Sequence, residues 1–169
     1  MTIRLVLAEA LMTDVLGAAL AHCRPERGVI HLVGDLGAGK STLARALLRA
    51  LGVLGTIRSP TYTLVERYAV PGGEAAHLDL YRLADASELD FLALDELESA
   101  ASLWLVEWPE RGDGHLPPAD LIVRLAVCGS GRDVQLDATG SAGAAWLDRL
   151  SDCLRAGPLA AVSATAEPS

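Results

Sequence analysis

Two hydrophobic rhythms alternate along the chain. Short runs rich in Ile, Leu and Val predict strands at Thr2 to Leu7, Val29 to Val33 and Ser102 to Glu107. Between them, Glu9 to His22 has helical character and must end before Pro25. From Ser41 to Leu51 the residues Leu43, Ala44, Leu47, Leu48 and Leu51 recur at helical spacing, with Gly52 at the stop position. Tyr62 to Val70 and Ala76 to Leu83 read as two strands joined by a turn at Pro71-Gly72-Gly73-Glu74. Leu121 to Val127 and Asp133 to Leu136 form a second such pair around Gly129-Ser130-Gly131. Ser87 to about Ala101 reads as one or two short amphipathic helices, and Ala142 to Leu154 as a closing helix. The order predicts an α/β fold, with a mostly parallel central sheet flanked by helices and an inserted antiparallel hairpin.

Composition narrows the class. A chain of 169 residues with 51% hydrophobic residues supports one sizeable core, expected over residues 1–155. Ala156 to Ser169, rich in Ala, Pro and Ser, reads as a flexible tail. The net charge of −8 argues against broad binding to nucleic acid or an anionic membrane. Cys23, Cys128 and Cys153 lack metal or redox spacing and are expected as reduced thiols, and the four histidines form no ligand motif. No apolar run is long enough to span a bilayer. Arg4, Glu9 and Asp14 interrupt the N-terminal region as a signal peptide would not, so a cytoplasmic protein is expected.

Candidate chemistry centres on Gly34-Asp35-Leu36-Gly37-Ala38-Gly39-Lys40-Ser41, which fits the phosphate-binding loop pattern G-x-x-x-x-G-K-[ST]. Its glycines let backbone N–H groups approach phosphates, the lysine reaches the β and γ oxygens, and the Ser41 hydroxyl is placed for Mg²⁺. A strand precedes it and a helix follows, the order such a loop requires, and the helix N-terminus adds partial positive charge. Of the chain's 14 basic residues only Lys40 is a lysine. A chain that otherwise uses arginine keeps lysine where a compact, flexible ammonium is needed.

Further segments fit around the loop. Ser102 to Glu107 is an apolar strand ending in a carboxylate, the form of a Walker B element, and Glu107 can meet the loop at the strands' C-terminal ends. Arg58-Ser59-Pro60-Thr61-Tyr62-Thr63-Leu64 is either a switch segment that senses the γ-phosphate or a turn that starts a strand. In the second hairpin strand His77, Asp79 and Tyr81 share one face, with Leu78, Leu80 and Leu83 placed towards the core. Asp79 can orient a water there, or pair as a surface carboxylate with Arg82 or Arg67. The acidic stretch from Asp85 to Glu98 is a solvated face or a protein-docking surface. Arg111 either supplies charge to a transferring phosphoryl group or lies on the surface.

Without asparagine or a second lysine, the guanine-reading N-K-x-D motif cannot exist here, and ATP becomes the default nucleotide. A small-molecule kinase and a nucleotide-dependent binding module remain compatible with these residues. Four segments together resemble the TsaE family of bacterial P-loop ATPases: 34–42 (GDLGAGKST), 59–66 (SPTYTLVE), 77–83 (HLDLYRL) and 107–112 (EWPERG). That family is needed to make N6-threonylcarbamoyladenosine (t6A) at position 37 of tRNAs reading codons that begin with A. Ser41 stands where the family more often has threonine, which keeps the hydroxyl, and Leu78 where it often has phenylalanine.

The resemblance implies a P-loop NTPase fold and an accessory ATPase using ATP and Mg²⁺. It would work with the TsaD and TsaB proteins, reach tRNA only through them, and leave the transfer chemistry to them. By motif match, Asp35, Leu36, Gly37, Ala38, Gly39, Lys40, Ser41 and Thr42 would hold the nucleotide, with Thr61 from the switch segment and, less directly, Thr13 and Arg132. Ser41 and Glu107 would hold Mg²⁺, and Lys40, Asp79 and Glu107 would carry hydrolysis.

Overall fold

A computed structural model describes residues 1–157 of the protein. The strands are β1 (Thr2–Leu7), β2 (Gly28–Val33), β3 (Val65–Val70), β4 (Gly73–Asp79), β5 (Ala101–Glu107), β6 (Leu121–Cys128) and β7 (Gly131–Ala138). They form one seven-stranded sheet in the order β1-β7-β6-β2-β5-β4-β3. The helices are α1 (Ala10–Cys23), α2 (Lys40–Ala50), α3 (Leu94–Ala100) and α4 (Gly140–Ala156), with a 3-10 helix over Ala86–Leu92.

The expected mixture of α and β elements is present, but the sheet is only half parallel. The pairs β6–β2, β2–β5 and β5–β4 are parallel, whereas β1–β7, β7–β6 and β4–β3 pair antiparallel. Short loops enforce this: a two-residue link between β3 and β4, or between β6 and β7, permits only a hairpin, while the parallel pairs are separated by helical crossovers. The β3–β4 hairpin therefore forms one edge of the sheet, β1 adds antiparallel to the β6–β7 hairpin to form the other, and β4 belongs both to a hairpin and to the parallel centre. Strand and helix limits lie within a few residues of the periodicity, apart from β3 and β4. β3 begins only after Leu64, which takes left-handed φ, and β4 stops at Asp79, four residues short of Leu83. α4 runs through Ala156, and residues 158–169 of the Ala/Pro/Ser segment lie outside the described residues.

β5 shows why the sheet centre holds. Every one of its residues is buried, because both faces are covered. Leu103 and Leu105 join Ile30 and Leu32 of β2 and the helices α1, α2 and α4 in the larger core. Trp104 and Val106 join Leu89, Leu97 and Leu80 in a smaller one on the other side. α1 and α2 approach closely at Gly17, where an added Cβ would lie 2.6 Å from the Cβ of Ala46. That approach seats α2, and with it the loop that precedes it, firmly on the sheet.

Candidate functional site

The loop Gly34–Gly39 leaves the C-terminal end of β2 and enters α2 at Lys40. Its backbone needs glycine at particular points. Gly34 has φ +149 and sits so close to the carbonyl of Leu125 that a side chain would collide with backbone. Gly39, the N-cap, is left-handed at φ +108 and offers no capping side chain, so the first-turn amides of α2 have no side-chain acceptor. Arg132, at the start of β7, clasps the loop from outside. Its Nε donates to Ala38 O at 2.8 Å and its second guanidinium nitrogen to Gly37 O at 3.4 Å. Ala38 is buried, whereas Asp35, Leu36, Gly37 and Thr42 are exposed.

Lys40 is 4% exposed. Its Nζ donates to Gly34 O at 2.5 Å and Asp35 O at 2.9 Å, and lies 4.0 Å from the centre of the Trp108 ring. Burial pushes its pKa below the usual lysine range, against the pull of Glu107, Asp79, Glu110 and Asp35 in return. A desolvated cation with no ion pair among the described residues, beside uncapped helix amides, is poised to gain from an anionic ligand.

Glu107 closes the other side. β4 and β5 pair in parallel with Asp79 opposite Glu107, so both carboxylates project from the same sheet end. Glu107 Oε2 accepts from Ser41 Oγ at 2.9 Å, and Oε1 is 2.8 Å from His77 Nε2. His77 is fully buried and Glu107 nearly so. The face of β4 that carries His77 and Asp79 is thus as buried as the leucine face, because α2 and the 58–64 segment cover that face as well. Asp79, 5% exposed, does not pair with Arg67, which binds Glu74 and Glu96 instead. Asp79 Oδ2 accepts from Thr61 Oγ1 at 2.8 Å and from Ser59 Oγ at 3.5 Å, and Oδ1 from the Tyr81 amide at 3.1 Å.

Lys40, Ser41, Thr42, Thr61, Asp79, Glu107 and Arg132 line one cleft of about 340 Å³ together with Leu36, Gly37 and Gly39. Thr13, buried on α1, lies outside it. It lines an adjoining cavity of about 140 Å³ that shares Gly39, Thr42 and Arg132 with the cleft. The sequence-predicted residues therefore converge, with Thr13 one step removed. Asp35 contributes its carbonyl to Lys40, and Ala38 its carbonyl to Arg132. Arg111 is exposed beside the site, its guanidinium 5.4 Å from the Tyr81 ring centre.

Two contributors escaped the sequence reading. His77 gave no ligand motif, and only its two-residue spacing from Asp79 hinted at a shared face. Trp108 follows Glu107 with φ +58, a left-handed turn that swings its ring over Lys40. Nothing in its residue type announces that turn.

The donor set fits a polyphosphate with a hard cation. Among the described residues no cluster of three or more His, Cys, Asp or Glu side chains forms a metal cage. One hydroxyl and one carboxylate at the loop suit Mg²⁺, which takes few protein ligands and completes its shell with water and phosphate oxygens.

Comparison with known proteins gives an independent view. The family model described as "Threonylcarbamoyl adenosine biosynthesis protein TsaE" matches residues 7–134. A protein of Haemophilus influenzae named tRNA threonylcarbamoyladenosine biosynthesis protein TsaE is 44% identical over 115 residues, covering 68% of this chain and 73% of that one. The Mycobacterium bovis protein of the same name is 42% identical over 123 residues, 67% of this chain and 72% of that one. The crystal structure of Bacillus subtilis YdiB superposes with a TM-score of 0.77 at 23% identity, covering 90% of this chain and 96% of that one, a likeness of fold.

Proposed function

Because the chain belongs to the TsaE family, we propose that it is a Mg²⁺-dependent ATPase serving t6A37 formation in tRNA, acting with the TsaD and TsaB proteins and not itself performing the transfer. The observation that carries the ATPase reading is the meeting of Lys40, Ser41, Asp79 and Glu107 in one cleft, from three separate elements of the chain. The names of the relatives carry the pathway.

In this reading Lys40 gives up its two carbonyl partners for phosphate oxygens, exchanging neutral acceptors for charged ones. The α2 amides and the loop backbone around Gly37 and Gly39 hold the remaining phosphate charge. Ser41 and Glu107 would hold Mg²⁺, which when bound neutralises phosphate charge and draws electrons from the bridging oxygens. His77 fixes the Glu107 carboxylate. Asp79, steadied by Thr61 and the Tyr81 amide, accepts a hydrogen bond from the attacking water and aims it. Thr61 ties the 58–64 segment to Asp79, so that this segment can report the state of the site. Thr13 and Arg132 border the same end of the loop and would contact the rest of the nucleotide.

The acidic charge supports delegation of tRNA binding to partners, since a chain of net −8 repels the phosphate backbone. Among the described residues no helix is long and apolar enough to cross a membrane.

Purified protein tests the reading directly. ATP hydrolysis should depend on Mg²⁺, change when TsaD and TsaB are added, and vanish in Lys40→Ala. Phosphorylation of a metabolite without any partner would favour a kinase instead.

A further inference from the structure

Cys23 ends α1 and Cys153 lies near the end of α4, 130 positions later, yet their sulfur atoms are 2.7 Å apart. Arg149 of α4 fixes the approach. Its Nε donates to Cys23 O at 2.9 Å, and its own carbonyl accepts from the Cys23 thiol at 3.6 Å. Both residues are free thiols, Cys23 buried and Cys153 half-buried. A disulfide needs about 2.05 Å between sulfurs, so bonding distance lies within a small side-chain adjustment.

We propose that Cys23 and Cys153 are an oxidisable pair that closes to a reversible disulfide when the protein meets a low-molecular-weight disulfide, clamping the C-terminal end of α1 to α4. The half-buried Cys153 thiolate attacks the oxidant RSSR, forming a mixed disulfide and releasing one RS⁻. Cys23 then loses its proton to solvent, attacks the Cys153 sulfur and expels the second RS⁻. Two protein thiols are oxidised, and RSSR is reduced to two thiols that take up the two protons. The order follows from environment: Cys153 is the more exposed thiol, while burial and the neighbouring Cys153 push the Cys23 thiol up to about 12, so Cys153 meets the oxidant first. The bond would close a loop spanning most of the described chain, the arrangement in which a cross-link most restricts the unfolded state. With Cys23 buried and Cys153 half-buried, one sulfur of the bond stays within reach of a thiol reductant, as a reversible disulfide requires.

The test uses the full chain in a Cys128→Ser background, because Cys128 is exposed and would otherwise trap the oxidant. Reduced protein is incubated with oxidised glutathione, then examined by intact mass, non-reducing peptide mapping and thermal melting. Expected are loss of two hydrogens, a peptide joining the segments that contain Cys23 and Cys153, and a Tm raised by roughly 5–10 °C that dithiothreitol reverses. Adding Cys23→Ser should halt the reaction at a glutathione adduct on Cys153, with no Tm rise. Adding Cys153→Ser should leave Cys23 unmodified, which keeps the test valid if Cys23→Ser does not fold. Persistence of both free thiols, a stable glutathione adduct in the parent protein, or a disulfide without the Tm rise would overturn the proposal. No step depends on nucleotide, so the result is separate from the ATPase reading.

Discussion

Ser41 and Glu107, 66 positions apart in sequence, meet in a hydrogen bond of 2.9 Å from Ser41 Oγ to Glu107 Oε2. Ser41 lies in the first turn of α2 and Glu107 ends β5, so the contact joins the helix that follows the Gly34–Gly39 loop to the C-terminal end of β5. If these two hold Mg²⁺, Glu107→Ala should lower ATP hydrolysis by on the order of 100-fold. Mg²⁺ titrations of activity should show the midpoint displaced to higher concentration. An unchanged midpoint would remove Glu107 from the metal site.

The other oxygen of Glu107 leads to His77, whose Nδ1 is buried with no hydrogen-bond partner among the described residues. His77→Ala should cost about 1–3 kcal/mol in urea unfolding, because it leaves a buried carboxylate oxygen without its partner. His77→Gln, which can present an amide N–H near the position of Nε2, should recover part of that loss. Equal stabilities for the two variants would contradict the pairing.

Lys40 carries an opposite expectation. Burial works against its charge, so Lys40→Met should fold with a Tm at or above that of the parent while losing nucleotide binding. Differential scanning fluorimetry with and without Mg-ATP separates the two effects. A marked fall in Tm would mean that the Gly34 and Asp35 carbonyl bonds outweigh desolvation.

Asp79 and Thr61 should separate binding from turnover. Asp79→Asn retains a hydrogen-bonding side chain but loses the charge that aims a water. Hydrolysis should fall by roughly 100-fold or more while affinity for a fluorescent ATP analogue changes little. Thr61→Val should weaken turnover less, by about 10-fold, since Ser59 also reaches Asp79. Equal losses of binding and turnover would point to a structural role instead.

The path from sequence to structure was clearest where local and long-range preferences agree. β5 and α2 are legible because a continuous apolar run and a 3.6-residue period each have one good solution, and the Gly34–Ser41 spacing states its own backbone demands. The sheet is less parallel than its strand patterns suggest, because those patterns do not reveal partners. The two-residue links fix β3–β4 and β6–β7 as antiparallel, while β1–β7 joins strands from distant parts of the chain, a pairing that no local pattern states. Asp79 is ambiguous in the sequence for a related reason: its burial depends on the 58–64 segment folding over its face of β4, which no residue within β4 encodes. His77 and Trp108 were missed because one acts through a carboxylate thirty positions away and the other through a single left-handed φ.

The most direct measurement is the t6A content of tRNA, by liquid chromatography and mass spectrometry, in a bacterial strain depleted of its own TsaE and supplied with this chain. The parent sequence should restore t6A, and Lys40→Ala, present at equal abundance, should not. Full restoration by Lys40→Ala, or none by a well-expressed parent, would contradict an ATP-dependent role in t6A formation.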